Sequence, residues 1–587
     1  MSQPTYPLSS YTGETFRTTP TFGLYRTDTA SLITDLDDQF SLSAFTDSAC
    51  TQAASSAFSI TDTKMSLTTG TASFSGATYS LAAGTSEVGI YFKVRSEKLG
   101  ISGCSRVFGI GQKFGSGAGY LRGGATGAAG GTTTNTLDYG ISVRTDSQNR
   151  IIACGQSRTT GNAMAHALWR SHPNATLDTT FGGVGTGYQV YQNGVNTGLA
   201  LATGLVGGTC FNDGCSAMAL DSSDRIYTTG FSKNLNGGIQ LGLWRFTADG
   251  SPDTAFAAAG GVLGSTTGAA TGGATAANQF DLGRAIMLDS SAGQVIVAGQ
   301  SRKPAGGNEM AIWKFTTSGS LVSSFGSSGA VTFGTPGVAG LGGATMDDRG
   351  YAVSADSSGN LFVTGISYNS STRFEAVVWK VNSAGVLQAS YRSAASGTGL
   401  TGSSNSAGTF DENFRSAALD SSGRLVATGW SRNTTTTGDE LIVVRLKSDL
   451  TLDTTFGSGG FYRSGTTGYA GGTGANQRDR GFGLIVDRNG KIVVAGYSRD
   501  NSATPLVKAM FVRFTSSGEL DTTFGTGGYV VYPTAVAGGT VANYLDEPMG
   551  LTQDSFGRYV AVGRTKSNAP AQELAIWRVL ETGAIDQ

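Results

Sequence analysis

The chain has 587 residues, too many for one ordinary compact core, so several domains or a repeat array is expected. Its 41 basic and 42 acidic residues cancel, which withholds the positive field that nucleic-acid binding needs. Glycine, at 88 residues, is about double its usual share, yet aliphatic and aromatic residues are plentiful, which implies a turn-rich all-β protein rather than a disordered chain.

The opening "MSQPTYPLSS" lacks the charged and apolar regions of a secretory signal. Low lysine with abundant Gly, Ser and Thr favours a mature secreted segment over a cytosolic protein. No apolar run reaches membrane-spanning length, so no membrane-spanning segment is expected. Residues 1–27 read as an N-terminal extension or linker. From 28 to 105, "SLSAFTDSACTQ", "ASFSGATYSLAAG" and "VGIYFKVRSEKLGISGCS" alternate apolar and polar residues between Gly/Ser turns. That pattern predicts a small β-sandwich of immunoglobulin-like type, closed by Cys50 and Cys104. Cys210 and Cys215 lie close enough in sequence to form a second disulfide, leaving Cys154 as a small buried thiol. Such pairing suits an oxidising compartment.

From 106 to 587 the chain repeats. "LDTTFGGVG" at Leu177, "LDTTFGSGG" at Leu452 and "LDTTFGTGG" at Leu520 mark the period. Turns of the "DSSGR" type open at Asp146, Asp221, Asp289, Asp356, Asp420, Asp487 and Asp554, with spacings of 64 to 75 residues. A few residues on come Asn149, Asp224, Gly293, Gly359, Gly423, Gly490 and Gly557, types that tolerate the left-handed backbone of a tight hairpin. Strands flank each turn, and a third run carries Trp169, Trp244, Trp313, Trp379, Val444, Val512 or Trp577. Twelve residues beyond each of the first six stands an aromatic, from Phe181 to Phe524 and including Tyr391, that starts a short outer strand.

Four strands per repeat and seven repeats predict a seven-bladed β-propeller. The seventh repeat stops at Gln587, before its outer strand. "FGSGAGYLRGG" from Phe114 precedes the first full repeat, so residues near 112–122 are expected to complete the last blade. "DSSGRLVATGWSRN", continuing to "LDTTFGSGG", resembles the bacterial delta-60 repeat over roughly residues 112–587. That resemblance implies a propeller, usually in secreted or surface proteins of Gram-negative bacteria, and brings no catalytic residues. Repeat four departs most, with "QASYRSAASG" in place of the shared ending.

Three polar rings recur. Each inner strand begins with an acid: Asp138, Asp213, Asp281, Asp348, Asp411, Asp479 and Asp546. A Gly-x-Ser/Thr motif follows the second strand, and the third ends in Arg or Lys. Mutual neutralisation that braces each blade explains them better than a binding ring, because repetition points to architecture. The variable residue inside the motif is different: Gln156, Phe231, Gln300, Ile366, Trp430, Tyr497 and Arg564. Apart from Ile366 these are the candidate ligand-binding residues, with Trp430 and Tyr497 as stacking platforms beside long, Gly- and Tyr-rich loops.

No catalytic constellation stands out. His166 and His172 would lie about 20 Å apart on one strand, so they cannot share a metal. No cofactor is expected. The expected role is an extracellular or cell-surface adhesion and recognition module that binds a glycan or protein through the long-loop face of the propeller. The alternative is a carboxylate-based hydrolase or lyase, for which Asp347–Asp348 and Asp411–Glu412 are the paired acids.

Overall fold

In the computed structural model the strands up to residue 122 are described by their backbone. Residues 137–586 are described in full apart from loop segments, the longest being 192–212, 264–279, 335–346, 394–410 and 533–544. The described residues are all-β, with no helix. They fall into two compact bodies: Met1–Gly115 with His172–Asn174, and Ser116–Ser171 with Ala175–Gln587.

The first body holds three antiparallel sheets. The hairpin Glu87–Ser96 and Ser102–Gly111 takes Phe40–Phe45 as its third strand. Thr15–Thr18 pairs with Ala77–Ser80, and Thr21–Gly23 with Thr71–Ser73, so both short strands have partners within this body. Cys50, Cys210 and the side chain of Cys104 lie outside the described residues.

The second body is built from four-stranded antiparallel sets. Repeat one is Asp138–Thr145, Ile151–Arg158, Met164–Ser171 and Tyr188–Tyr191. The inner strands of repeats two to seven are Asp213–Leu220, Asp281–Asp289, Arg349–Ala355, Glu412–Leu419, Asp479–Val486 and Leu545–Gln553. Repeats one to five are separate four-stranded sheets, while six and seven join through a single parallel pair, Val507 with Leu545. In repeat seven the strand beside Gln572–Val579 is Tyr120–Arg122, with Tyr120 opposite Trp577. Repeat four does carry an outer strand, Leu387–Arg392, against Phe374–Val381.

Turn chemistry fixes the hairpins. All seven expected positions, Asn149 to Gly557, have φ between 57° and 85°. Asp146 accepts from the amides of Gln148 and Arg150 at 3.0 and 2.8 Å, and its other oxygen takes Arg150 Nε at 2.6 Å. The turn acid therefore caps its own turn, and Asp221, Asp420 and Asp554 do the same.

Neighbouring repeats share apolar cores. Trp244 and Phe246 of repeat two pack with Leu168 and Phe181 of repeat one, and Trp577 packs with Phe511 and Phe524 of repeat six. Full burial of each such side chain stabilises by about 1.5–3 kcal/mol. Repeats seven and one also meet, since the Ser555 amide donates to Asn149 Oδ1 at 3.0 Å and Leu137 bridges Gln572.

The recurring nonapeptide has a definite job. Arg170, Arg245, Arg445, Arg513 and Arg578 each place Nε on the Asp eight residues on, at 2.5–3.0 Å. In the first four of these the guanidinium lies over the following Phe at 4.6–4.9 Å, and Nη1 reaches a carbonyl in the next repeat, as Arg245 does to Thr317 O at 2.7 Å. The motif thus stitches one repeat to the next. This corrects the expectation that the cation ring neutralises the inner-strand acids. The inner acid sits at the start of its strand and the cation at the end of the third, so the sheet holds them at opposite ends.

The cysteines need a second correction. Cys154 is bonded to Cys215, with Cα atoms 5.9 Å apart. The second strand of repeat one turns residue 154 toward the inner strand of repeat two, so the bond spans two repeats. Cys154 is not a free thiol, and Cys215 is not paired with Cys210.

Candidate functional site

Each inner strand carries one irregularity at the same place. The register slips between Gly140 and Ser142, and again at Cys215/Ala217, Gly283/Ala285, Gly350/Ala352, Phe414/Ser416, Gly481/Gly483 and Pro548/Gly550. A bulge of this kind frees one residue from the ladder and re-aims its side chain. The freed residues are Ile141, Ser216, Arg284, Tyr351, Arg415, Phe482 and Met549, and all seven line one cavity of about 530 Å³. The bulge also explains the glycine of Gly-x-Ser. A Cβ on Gly155, Gly230, Gly299, Gly365, Gly429, Gly496 or Gly563 would run into the backbone oxygen opposite, such as Asn413 O for Gly429.

The inner acids sit behind this wall. Ser301 Oγ donates to Asp281 Oδ1 at 2.6 Å, Thr565 to Asp546 at 2.6 Å and Ser498 to Asp479 at 2.5 Å. Burial pushes Asp479 above the usual carboxylate range, despite hydrogen bonds that include the one from Ser498. In repeat five the acid opposite Ser431 is Glu412 rather than Asp411, because Glu412 holds the strand position. Glu412 is likewise raised by burial.

The candidate residues within Gly-x-Ser lie one layer behind the bulge residues. Gln300 is 1% exposed and accepts from Arg284 Nε at 2.9 Å. Trp430 is 7% exposed, with the guanidinium carbons of Arg415 and Arg480 at 4.8 and 4.5 Å from its ring centre. Trp430 and Tyr497 both pack against Phe482 at 5.7 Å, and burial lifts Tyr497 to about 12. Gln156 accepts from the Tyr139 hydroxyl at 2.6 Å, Phe231 is half-buried, and Arg564 pairs with Glu547 at 2.5 Å. Trp430 and Tyr497 are therefore buried supports, with little face left for stacking. Sequence reasoning missed the bulge residues because no shared residue type marks them. Their one signal is position, three residues after each inner acid.

Asp347 is clamped by Arg349, and the Phe374 amide donates to Asp411 at 3.3 Å. His166 is fully buried with Nε2 3.0 Å from Thr228 Oγ1, and desolvation lowers it to about 3. Among the described residues, no three His, Cys, Asp or Glu side chains converge to hold a metal. No helix of the described residues is long and apolar enough to cross a membrane.

Residues 222–256, 421–456 and 488–524 match the family described as "Domain of unknown function (DUF5122) beta-propeller". These three stretches support a β-propeller family. Each runs from just after a turn acid to the Phe of the nonapeptide, so what matches is the stitched part of a repeat. No curated protein matches the chain. Among solved structures, it is similar to a PL25 polysaccharide lyase, an ulvan lyase bound to a sugar fragment (12% identity, TM-score 0.38, covering 77% of this chain and 96% of that one). It is also similar to a protein of unknown function from Dyadobacter fermentans (11%, 0.35, 78% and 98%) and to the Hadza microbial sialidase Hz136 (10%, 0.35, 88% and 77%). At these identities and TM-scores none of them assigns a role.

Proposed function

We propose that the second body is a seven-bladed propeller of the delta-60 repeat type, closed by Tyr120–Arg122, and that it recognises a glycan or protein ligand at its inner cavity. Residues 28–105 are read as an accompanying immunoglobulin-like sandwich. One observation carries the recognition reading. Glycine, acid, hydroxyl and turn recur from repeat to repeat, but the freed residue of each bulge is Ile, Ser, Arg, Tyr, Arg, Phe or Met. A scaffold alone gives no reason for variation at the cavity wall and in the Gly-x-Ser layer directly behind it, whereas a binding site does. Gln300, Trp430 and Tyr497 then act from behind, holding Arg284, Arg415 and Phe482 in place.

The Cys154–Cys215 bond supports a secreted or cell-surface setting, since such bonds persist in oxidising compartments. A glycan array probed with the whole chain, with and without calcium, tests the reading. Ligands that are retained should be lost on Tyr351→Ala with Phe482→Ala. Binding indifferent to both changes would overturn the cavity as the site. Release of sugar from a bound polymer would favour the hydrolase or lyase alternative.

A further inference from the structure

The cavity wall contains Arg144, Arg284 and Arg415 and not one carboxylate. Other arginines close by are neutralised, Arg349 by Asp347 and Arg480 by Asp439. The three in the wall are not, among the described residues. Arg144 donates to its neighbour's carbonyl, Val143 O, at 2.7 Å, and Arg284 to the Gln300 amide. Arg415 Nε is buried with no acceptor.

Half-buried cations without counter-charge are costly to hold together. Desolvation pulls Arg284 down to about 10 and lowers Arg144 and Arg415 as well. Two of these guanidinia converge on one ring, since Arg415 Cζ lies 4.1 Å and Arg284 Cζ 5.0 Å from the centre of Tyr351. Burial alone would raise the Tyr351 hydroxyl, but Arg415, Arg284 and Arg349 outweigh it and hold it below the usual phenol value. The three guanidinia favour a negative charge placed among them. Beside the cations stand Tyr351 and Phe482, which add aromatic surface to the wall, and Ser142, Ser216 and Thr552, which offer hydroxyls. The volume, about 530 Å³, falls in the roughly 300–1,000 Å³ range of small-molecule sites.

We propose that the cavity binds an acidic sugar unit, with Arg284 and Arg415, both seated on Tyr351, taking its carboxylate or sulfate and the lining hydroxyls of Ser142, Ser216 and Thr552 meeting its ring hydroxyls. This rests on the recognition reading above and names its ligand class. Guanidinium forks match such planar or tetrahedral oxyanions with two parallel donors.

Calorimetric titration of the whole chain at low salt tests it, with glucuronate, N-acetylglucosamine 6-sulfate, inorganic sulfate and neutral glucose as probes. Glucuronate or the sulfated sugar should bind, glucose should not, and added salt should weaken the binding. The acid that binds more tightly separates a carboxylate ligand from a sulfate one. Arg284→Gln and Arg415→Gln should each weaken it roughly tenfold or more, as expected for losing a charged hydrogen bond. Arg415→Lys, which keeps the charge, should retain measurable binding and controls for misfolding, and Arg225→Gln in a distant turn should change nothing. Inorganic sulfate binding as tightly as either sugar would overturn the sugar assignment. Failure of every oxyanion, or glutamine variants that bind like the parent, would overturn the site. Neutral glycans retained on an array while acidic ones are not would overturn the ligand class and leave the recognition reading standing.

Discussion

Repeats three and four hold lysine where the other five hold arginine, and the same two repeats lack the aspartate eight residues on. Repeat three has Lys314 and Val322, and repeat four has Lys380 and Gln388. Arg445, by contrast, holds Asp453 at 2.8 Å, Ser516 O at 2.5 Å and the Phe456 ring. Each lysine keeps the reach to a carbonyl of the next repeat, Ser383 O at 3.2 Å from Lys314 and Ser448 O at 2.8 Å from Lys380, and Lys314 also keeps the ring contact, 4.9 Å over Phe325. The link to the next repeat is thus the shared requirement. The acid is needed where a fork must be oriented on three partners at once, and a point charge on a flexible stem does without it. In repeat four the freed segment becomes a regular strand. Tyr391 then pairs with Val378 inside the outer strand, whereas in the other repeats the expected strand-starting aromatic lies ahead of it, as Phe456 precedes Phe461–Arg463; Lys380 lies over Phe362 at 5.2 Å.

The contrast can be broken most forcefully at Arg445. Arg445→Ala should cost about 3–5 kcal/mol in urea unfolding, since it strands a buried Asp453. A loss below about 1 kcal/mol would mean that the nonapeptide is not a stitch.

Asp521→Asn comes next, at about 2 kcal/mol, the worth of a charge-assisted hydrogen bond. Burial pushes Asp521 up, but Thr523, Lys491 and Arg513 more than reverse it and hold it at about 2, against an ordinary 3.8. A depressed carboxylate gives stability that is present above its unfolded pKa and lost as pH falls through the folded one. The difference in melting temperature between parent and variant should therefore shrink as pH drops from about 4 toward 2. A gap that persists at pH 2 would contradict the ion pair.

Lys314→Arg with Val322→Asp transplants the full arrangement into repeat three. The expected gain is up to about 1 kcal/mol, as for partly exposed pairs. A loss greater than about 2 kcal/mol would show that Val322 is there for its packing. The smallest effect is expected at Lys380→Ala, below about 1 kcal/mol in the same assay, because an exposed carbonyl contact and a distant ring contact are removed and no acid is stranded. A cost matching that of Arg445→Ala would erase the distinction between the two classes of repeat.

What was legible in the sequence follows from what repeats. Turn residues such as Asn149 and Gly490 declare a left-handed backbone by type, so the hairpins and their period could be read directly. The Tyr120–Arg122 strand could be inferred from a repeat that stopped short. The polar rings were visible as positions but were given the wrong partners, because pairing depends on which end of a strand each group occupies. Cys154 was misread since its partner lies on the next repeat, a contact that spacing does not encode. The cavity wall was hidden most thoroughly. A bulge displaces one residue without demanding a type, so Ile141, Arg284 and Tyr351 share no signature beyond their offset from an acid. The glycine that accommodates the bulge was read as a motif, though its cause, a carbonyl pressed against it, appears in three dimensions alone.

The pairing of Tyr120 with Trp577 also sets a timetable. At roughly 5–20 residues per second of synthesis, about 450 residues separate the two partners, so the first waits tens of seconds for the second. During that interval six repeats can dock on their neighbours in order, each through local hairpins and one adjacent interface. The seventh sheet has to recruit a strand made long before, across the longest strand-pairing separation among the described residues. Its assembly is the step expected to be slow, because closing so large a loop is entropically the most demanding contact to form. Until it happens, Gln572–Val579 is an open edge available to any other strand in the cell, including the same strand of another copy.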